Sequence, residues 1–324
     1  MKSVAQYQLD HLDSAEGSSR GWEQCTFFVG VMATYEATGA PAYLEAVLRW
    51  GEGNGWRLGP RMRHADDHCV GQVYLDLYRL FGDEKFLRST RSAFDRILAT
   101  PRTGREEWHW SDALFMAPPV LARLASSTGQ NRYWKLLSKY YWDASTYLYD
   151  NRWNLYYRDE NFFNAESPNG KPVFWARGNG WVLAGLARIL QVLPADHPQH
   201  SRFVDHFREL ASSIVKRQRR DGLWRTNLLA PSVFSEPETS STGLFCYALA
   251  WGVNTNYLEE DRYRATAIKA WNGLVRSVDE TGRLGWVQPI GIRPGPVSQE
   301  DTGVYGAGAF LLAGSEMVEV LANS

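Results

Sequence analysis

Period-two apolar alternation is scarce along this chain, which argues against a β-rich architecture. Cysteine is scarce too: Cys25, Cys69 and Cys246 are the only three in 324 residues. They share no CxxC spacing and lie in apolar or helical contexts. That excludes a disulfide framework and a zinc site, and reads as buried free thiols in a reducing compartment. A net charge of −1 leaves no basic footprint for nucleic acid or for an anionic membrane. The N-terminus has no apolar signal core, and no stretch reads as long enough to span a bilayer. HExxH, GxGxxG and GK[ST] are all missing, so neither a zinc-hydrolase site nor a nucleotide loop is expected. These absences leave a cytoplasmic protein, monomeric or homodimeric, with no metal, no cofactor, no nucleic acid and no membrane among its expected partners.

What the chain has in quantity is aromatic side chains: 14 Trp, 16 Tyr and 14 Phe. Without a basic background they do not read as base-stacking platforms. They fill a large core or stack on sugar rings. One unit recurs along the chain: an apolar helix rich in small residues, a short turn with Gly or Asp, an aromatic residue, then a more amphipathic helix. The aromatic after the turn is in succession Tyr43, Phe86, Tyr133, Phe203 and Tyr263, at separations within and beyond those of helical repeats. The apolar helices are expected near 22–38, 68–81, 112–128, 178–193, 240–254 and 305–321. The helices after the turns carry their charges on one face, as an outer layer does. Five outer helices follow six inner ones, and segment 2–13 supplies the sixth by packing beside the last inner helix. The expected fold is therefore all-α, a closed (α/α)6 barrel spanning 1–324 as one domain. An open solenoid is the weaker alternative, because neither end of the array reads as a polar cap.

A ring of this kind presents the loops that lead into its inner helices to one end, where a site is sought. Those loops are rich in Trp, Tyr, Arg, Asp or Glu, where a plain connector needs only Gly, Asn or Ser. In "EEWHWSDALFMAPP", Asp112 follows Trp108, His109 and Trp110 at the start of an apolar helix. Cap and catalyst weigh about evenly there. Asp is a favoured N-cap, but Ser111 can cap as well, and a carboxyl group among indoles loses hydration and gains the raised pKa of a general acid. In "RHADDHCVGQ", one of Asp66 and Asp67 can cap, which frees the other to bind a hydroxyl or act on Asp112. His64, His68 and His109 show no metal-ligand spacing. In "WARGNGW", Gly178 and Gly180 allow close approach of a ligand, and Arg177 offers a planar fork matched to a carboxylate. Arg158 is a second anion-binding candidate, against an ordinary surface pairing with Asp159 or Glu160. Of Glu236 and Glu238, at least one is expected to hydrogen-bond the loop and helix start.

Taken in order, "ADDHCVGQ", "TPRTG…EWHWSDALFMAPPVLAR", "YYRDE…FWARGNGWV" and "GAGAFLLAGSE" resemble the unsaturated uronyl hydrolases. These are the unsaturated rhamnogalacturonyl and glucuronyl hydrolases of glycoside hydrolase families 105 and 88. The resemblance runs from about residue 20 to the C-terminus and implies an (α/α)6 barrel. Its implied substrate is an oligosaccharide ending in the 4,5-unsaturated uronic acid that polysaccharide lyases leave. One aspartic acid donates a proton to C4, water adds at C5, and the hemiketal rearranges to release the sugar and a 5-keto-4-deoxyuronate. This differs from paired carboxylates acting at an anomeric carbon. By this resemblance Asp112 is the general acid and base. One of the neighbouring pair, Asp67 in preference to Asp66, is the second catalytic acid, and Asp66 then serves substrate binding. Trp110, Trp175 and Arg177 fall in the stretches that hold the unsaturated sugar. His109, Met116, Asn179 and Trp181 in the same stretches, with Arg158, complete the expected binding set. Arg158 departs from the family pattern, in which a histidine touches substrate. An arginine there gives a permanently charged hold on the uronate carboxylate, and the rhamnose preference is not carried over. The alternatives are a sugar-binding sensor without catalysis, which would not need Asp112, and another α/α-barrel glycosidase or epimerase.

Overall fold

The computed structural model describes residues 1–12 and 17–322. Among them six inner helices surround one axis: α2 (Trp22–Thr38), α5 (Gly71–Phe81), α9 (Pro118–Thr128), α11 (Ala176–Leu190), α13 (Thr239–Asn254) and α15 (Val304–Ala322). Each packs on the next and α15 packs back on α2, so the ring is closed. Outside it lie α1 (Lys2–Asp10), α3 (Pro41–Gly53), α6 (Glu84–Ala99), α10 (Asn131–Leu148), α12 (His200–Val215) and α14 (Glu260–Arg276), with the short turn α7 (Gly104–Glu107) packed on α10. The sixth outer helix expected from segment 2–13 is α1, which packs against α15; residue 13 lies outside the described residues. Among the described residues strand is confined to a hairpin of β1 (Tyr149–Asp150) and β2 (Leu155–Tyr156), with Tyr149 opposite Tyr156, and to isolated bridges between loops.

The turns explain the repeat. Helices α2, α5 and α9 each end on a glycine in the left-handed region, Gly39, Gly82 and Gly129, with φ of 67°, 69° and 64°. A residue with Cβ is strained there, and glycine stops the helix and reverses the chain. The aromatic that follows drops into the groove between layers: Phe86, Tyr133, Phe203 and Tyr263 are buried and Tyr43 is half-buried. Ring closure depends on small residues. A Cβ on Gly30 of α2 would fall on the carbonyl oxygen of Gly308, and one on Gly308 of α15 would fall on that of Thr26. First and last inner helices therefore meet backbone to backbone.

Three findings correct the expectations. The helix expected over 112–128 is two, α8 (Ala113–Met116) and α9, because Pro118 and Pro119 bring no backbone N–H to bond the preceding turn. The one expected over 68–81 is likewise preceded by a separate turn, α4 (Ala65–His68). Asp66 and Asp112 thus sit on short turns at the mouths of α5 and α9, free to be aimed separately from the long helices. Finally, α15 is long and apolar enough, by length and composition, to cross a membrane, and 72% of its apolar window is buried inside the protein. It is apolar because it is a core helix wedged between α2 and α13. The cysteines are all free and buried, as expected.

Candidate active site

The inner helices all start at one end of the ring, and Asp112 stands there at the start of α8. Its backbone is helical, φ −63° and ψ −32°, and its carboxylate makes no cap bond. Instead Oδ2 accepts a hydrogen bond from Ser111 Oγ at 2.9 Å. The Ser111 N–H donates to the carbonyl of Arg158 at 2.8 Å. This link ties the loop before α8 to the chain leaving β2 and sets Arg158 Nε 3.8 Å from Asp112 Oδ2. Arg158 is no ordinary surface pair. Its side chain is 19% exposed, and its Nη1 is fixed at 2.6 Å on Asp159 Oδ2, while the buried Asp159 also accepts from Asn161. The Asp112 side chain is 14% exposed. Burial raises its pKa above the usual carboxyl value, against the pull of Arg158, the Ser111 hydroxyl and Arg177.

Asp66 and Asp67 are treated in opposite ways. Asp67 is buried, and its oxygens accept from the Arg61 backbone N–H at 2.5 Å, from Nε at 3.0 Å and from Nη2 at 2.9 Å. Its own carbonyl takes the Gly59 N–H. Asp66, its side chain 19% exposed, has His64 Nδ1 3.6 Å from Oδ2. Its pKa is pushed up to about 7, first by burial and then by Asp112, with Arg61 opposing. The two members of the expected pair, Asp67 and Asp66, are thus set apart by their partners. The carboxylate of Asp67 is spent on holding the loop, and Asp66 is the one that feels Asp112.

The other expected residues divide. Trp110 lies against the site, its ring 5.0 Å from His64 and 4.6 Å from the exposed His109. Trp108 turns to the outer layer and packs edge-on against Tyr140, so it does not flank Asp112. Trp175 N-caps α11 by position and donates Nε1–H to Gln288 Oε1 at 2.8 Å. Arg177 is 1% exposed. Its fork is not open to a ligand, because it donates to the carbonyls of Gln288 and Pro289, and its guanidinium lies between the rings of Trp175 and Tyr305. Its charge reaches Asp112, but its donors brace a loop. Asn179 is wholly buried and clamps the Tyr156 backbone through both its amide atoms. Trp181 is core, against Trp22 and Phe115, and Met116 is core too. Gly178 makes room for Ser111 rather than for a ligand. Glu238 caps α13, accepting from the N–H groups of Ser240 and Ser241.

One residue near Asp66 escaped the sequence reading: Glu23 on the first turn of α2, whose charge also raises Asp66; His64 enters that reading only as a metal candidate. The signal was available for Glu23, since it opens an inner helix as Asp112 does. Chemically the mouth gathers two carboxyl groups whose pKa values burial raises, one fixed guanidinium and an indole wall.

The family Glycosyl Hydrolase Family 88 matches residues 1–321. An unsaturated 3S-rhamnoglycuronyl hydrolase of Formosa agariphila is 36% identical over 92% of this chain and 84% of its own length. One of Alteromonas sp. (strain LOR) is 34% identical over 97% of this chain and 83% of its own. A solved structure described as a polysaccharide lyase superposes with a TM-score of 0.92 at 34% identity, over 99% of this chain and 96% of that one.

Proposed function

The chain belongs to Glycosyl Hydrolase Family 88, and from that premise we propose that it is a glycoside hydrolase that hydrates the C4=C5 bond of a terminal 4,5-unsaturated uronic acid. The observation that carries this reading is Asp112: shielded from water, excused from capping and raised in pKa, with one arginine beside it. A protonated carboxyl group is what protonation of an enol ether requires. Asp112 gives its proton to C4, and positive charge develops at C5 and the ring oxygen. Water adds at C5 and returns a proton to the Asp112 carboxylate. The C5 hemiketal opens to a ketone, and the resulting C1 hemiacetal expels the aglycone as an alcohol. No net proton is gained or lost by the enzyme.

Arg158 is the arginine that meets the uronate carboxylate in this reading, since the terminal nitrogens of Arg177 donate to the carbonyls of Gln288 and Pro289. Its charge also stabilises Asp112 once the proton has left. Asp66, not Asp67, is the second acid, placed to favour the cationic transition state when ionised. The narrower placement in family 105 rests on the motif resemblance, and the acceptor class on the relatives' rhamnoglycuronyl substrates.

A second reading follows from the solved relative described as a lyase: β-elimination that creates the double bond. It needs a base for the C5 proton, whereas both carboxyl groups here are biased toward their acid forms. The two reactions have opposite optical signs. Incubation with unsaturated oligosaccharides from a lyase digest should erase their absorbance near the ultraviolet edge and, in heavy water, place deuterium at C4. Growth of that absorbance on intact polysaccharide would instead establish the lyase.

A further inference from the structure

Arg158 stands beside Asp112 without being hydrogen-bonded to it. Its Nε is 3.8 Å from Asp112 Oδ2 and, among the described residues, has no hydrogen-bond partner. The side chain is anchored instead on its own neighbour, Asp159. The spacing between guanidinium and carboxyl group is therefore set by the backbone that carries Arg158, which leaves β2 through Tyr156 and Tyr157. In the hairpin the Tyr157 N–H donates to the Leu148 carbonyl at 3.0 Å, and Tyr156 stands opposite Tyr149. The alternation of an antiparallel pair then turns the N–H and carbonyl of Tyr156 away from β1. Tyr156 is buried, so both groups would cost stability if left unpaired. Asn179 meets them: its Oδ1 accepts the Tyr156 N–H at 2.8 Å, and its Nδ2 donates to the Tyr156 carbonyl at 3.0 Å. A side-chain amide takes the place of the next strand. Nδ2 also donates to the Trp175 carbonyl at 2.9 Å, one turn back in α11.

The residue before Asn179 serves the other limb of the same joint. A Cβ on Gly178 would fall 2.7 Å from Ser111 Oγ, so glycine lets Ser111 lie against α11. Ser111 joins the two limbs, its N–H bonded to the Arg158 carbonyl and its hydroxyl to Asp112 Oδ2. One turn of α11 thus fixes the chain on both sides of the pair, Arg158 through Asn179 and Asp112 through the packing of Ser111 on Gly178. A buried amide costs stability unless it is fully hydrogen-bonded, so an apolar residue would serve mere packing as well. What the amide adds is a fixed place for the strand that carries Arg158.

We propose that Asn179 is a positioning residue that holds Arg158 at its working distance from Asp112, acting through the backbone of Tyr156. The proposal deepens the hydration reading and rests on it for the kinetic effect, though not for the geometry. Asn179→Ser tests it, because a serine hydroxyl can still bond the carbonyl one turn back but cannot serve both groups of Tyr156. On an unsaturated uronide, kcat/KM should fall by about tenfold or more, the scale on which small misplacements of reacting groups are felt, and the alkaline limb should move to higher pH. The sign follows from the groups that face Asp112. Arg158, the Ser111 hydroxyl and Arg177 favour its ionised form, and Asp66 opposes it as a like charge. Arg158 rides on the released strand, and its retreat lets Asp112 keep its proton longer. Asn179→Ser combined with Arg158→Gln should be no slower than Arg158→Gln alone, since both changes remove one interaction. Ser213→Ala is the control for mere loosening of the hairpin. Ser213 Oγ donates to the Trp153 carbonyl at 2.7 Å, at the far end of the turn, so its loss should lower the melting temperature and leave the limb in place. Asn179→Gln, with the amide on a longer arm, gives the same readings should the serine variant not fold. A carbon-13 titration of the Asp112 carboxyl group, identified by its loss in Asp112→Asn, reads the geometry without catalysis. It should move upward in Asn179→Ser and Arg158→Gln alike. If it does so in a protein that hydrates no double bond, the hydration reading falls and the positioning role stands. An unmoved titration in the folded variant, or rate losses that add in the double variant, overturns the proposal.

Discussion

Two ends of the same helical ring handle buried aspartate in contrary ways. Deep in the ring, away from the mouth, Asp76 of α5 has Oδ1 2.8 Å from Arg123 Nε of α9 and Oδ2 3.2 Å from Arg188 Nη2 of α11. The arginines are satisfied in turn. Arg123 donates to the Arg188 carbonyl and to Gln191, and Arg188 donates to Gln72 Oε1, while Gln191 reaches Tyr247 on α13. Four inner helices are stitched together around one carboxylate that faces two buried guanidinium groups. At the mouth, Asp112 has a hydroxyl and a guanidinium at 3.8 Å, and Asp66 has a histidine at 3.6 Å. A buried carboxylate given full partners is structural; one kept short of them holds its proton and is available for chemistry. A raised pKa alone does not mark a site. Glu316 of α15 is pushed up to about 7 by burial, yet it hydrogen-bonds Asn254 and faces no cup. The mouth differs in gathering two such groups with an arginine and an indole wall.

The contrast breaks first, and hardest, at Asp112. Asp112→Asn should lower kcat by about two to four orders of magnitude, the usual worth of a positioned general acid, and leave the melting temperature at or above that of wild type. Steady-state rates and a thermal melt on one preparation decide it; a variant that keeps its rate removes Asp112 from the mechanism. The interior should respond in the opposite currency. Asp76→Leu strands the buried Arg123 and Arg188 charges and should cost roughly 3–5 kcal/mol of unfolding free energy, read by denaturant titration. Replacing Asp76, Arg123 and Arg188 together with apolar residues should cost less than the single changes summed.

The ring was legible because it is written in periodicity. The apolar helices, the glycine stops and the aromatic after each turn recur, and all six inner helices lie close to their expected spans. Asp112 was legible as a candidate because it opens an inner helix in a loop with more indole than a connector needs. What sequence could not resolve was which of several polar groups in one motif is already spoken for. Asp66 and Asp67 are adjacent letters, and only the fold of the loop from Gly59 to Arg61 brings a guanidinium and a backbone N–H to Asp67. Arg177 looked like a free fork because its acceptors, the carbonyls of Gln288 and Pro289, lie more than a hundred residues away. Asn179 and Trp181 share a motif with Arg177 but sit inside the helix that the motif begins.

Arg158 separates charge from burial at the mouth. Arg158→Gln removes both the proposed anchor for the uronate carboxylate and the positive neighbour that holds the Asp112 pKa down. A charged hydrogen bond contributes about 1.5–3 kcal/mol, so KM should rise about ten- to a hundredfold. The alkaline limb of the rate profile should move to higher pH, because Asp112 then keeps its proton longer. A rise in KM with an unmoved limb would leave Arg158 as a binding residue only.

The smallest expected effect bears most directly on the choice between the adjacent aspartates. In the unfolded chain Asp66 releases its proton at the ordinary value of 3.8; in the fold it does so at about 7. Between those values the unfolded chain binds fewer protons than the fold, so rising pH favours unfolding. The stability that the neutral carboxyl group contributes is complete below about 3.8 and is lost as pH climbs through about 7. Asparagine stays neutral throughout. Asp66→Asn should therefore melt with wild type at pH 4 and a few degrees above it at pH 8, at roughly 2–4 °C per kcal/mol for a large domain. Asp67→Asn should do the reverse and melt lower at pH 8, because it loses the ion pair with Arg61 that orders its loop. Melting curves of both variants at the two pH values carry the test. If Asp66→Asn also melted lower at pH 8, its carboxylate would be a second structural anion, and the distinction between the two neighbours would collapse.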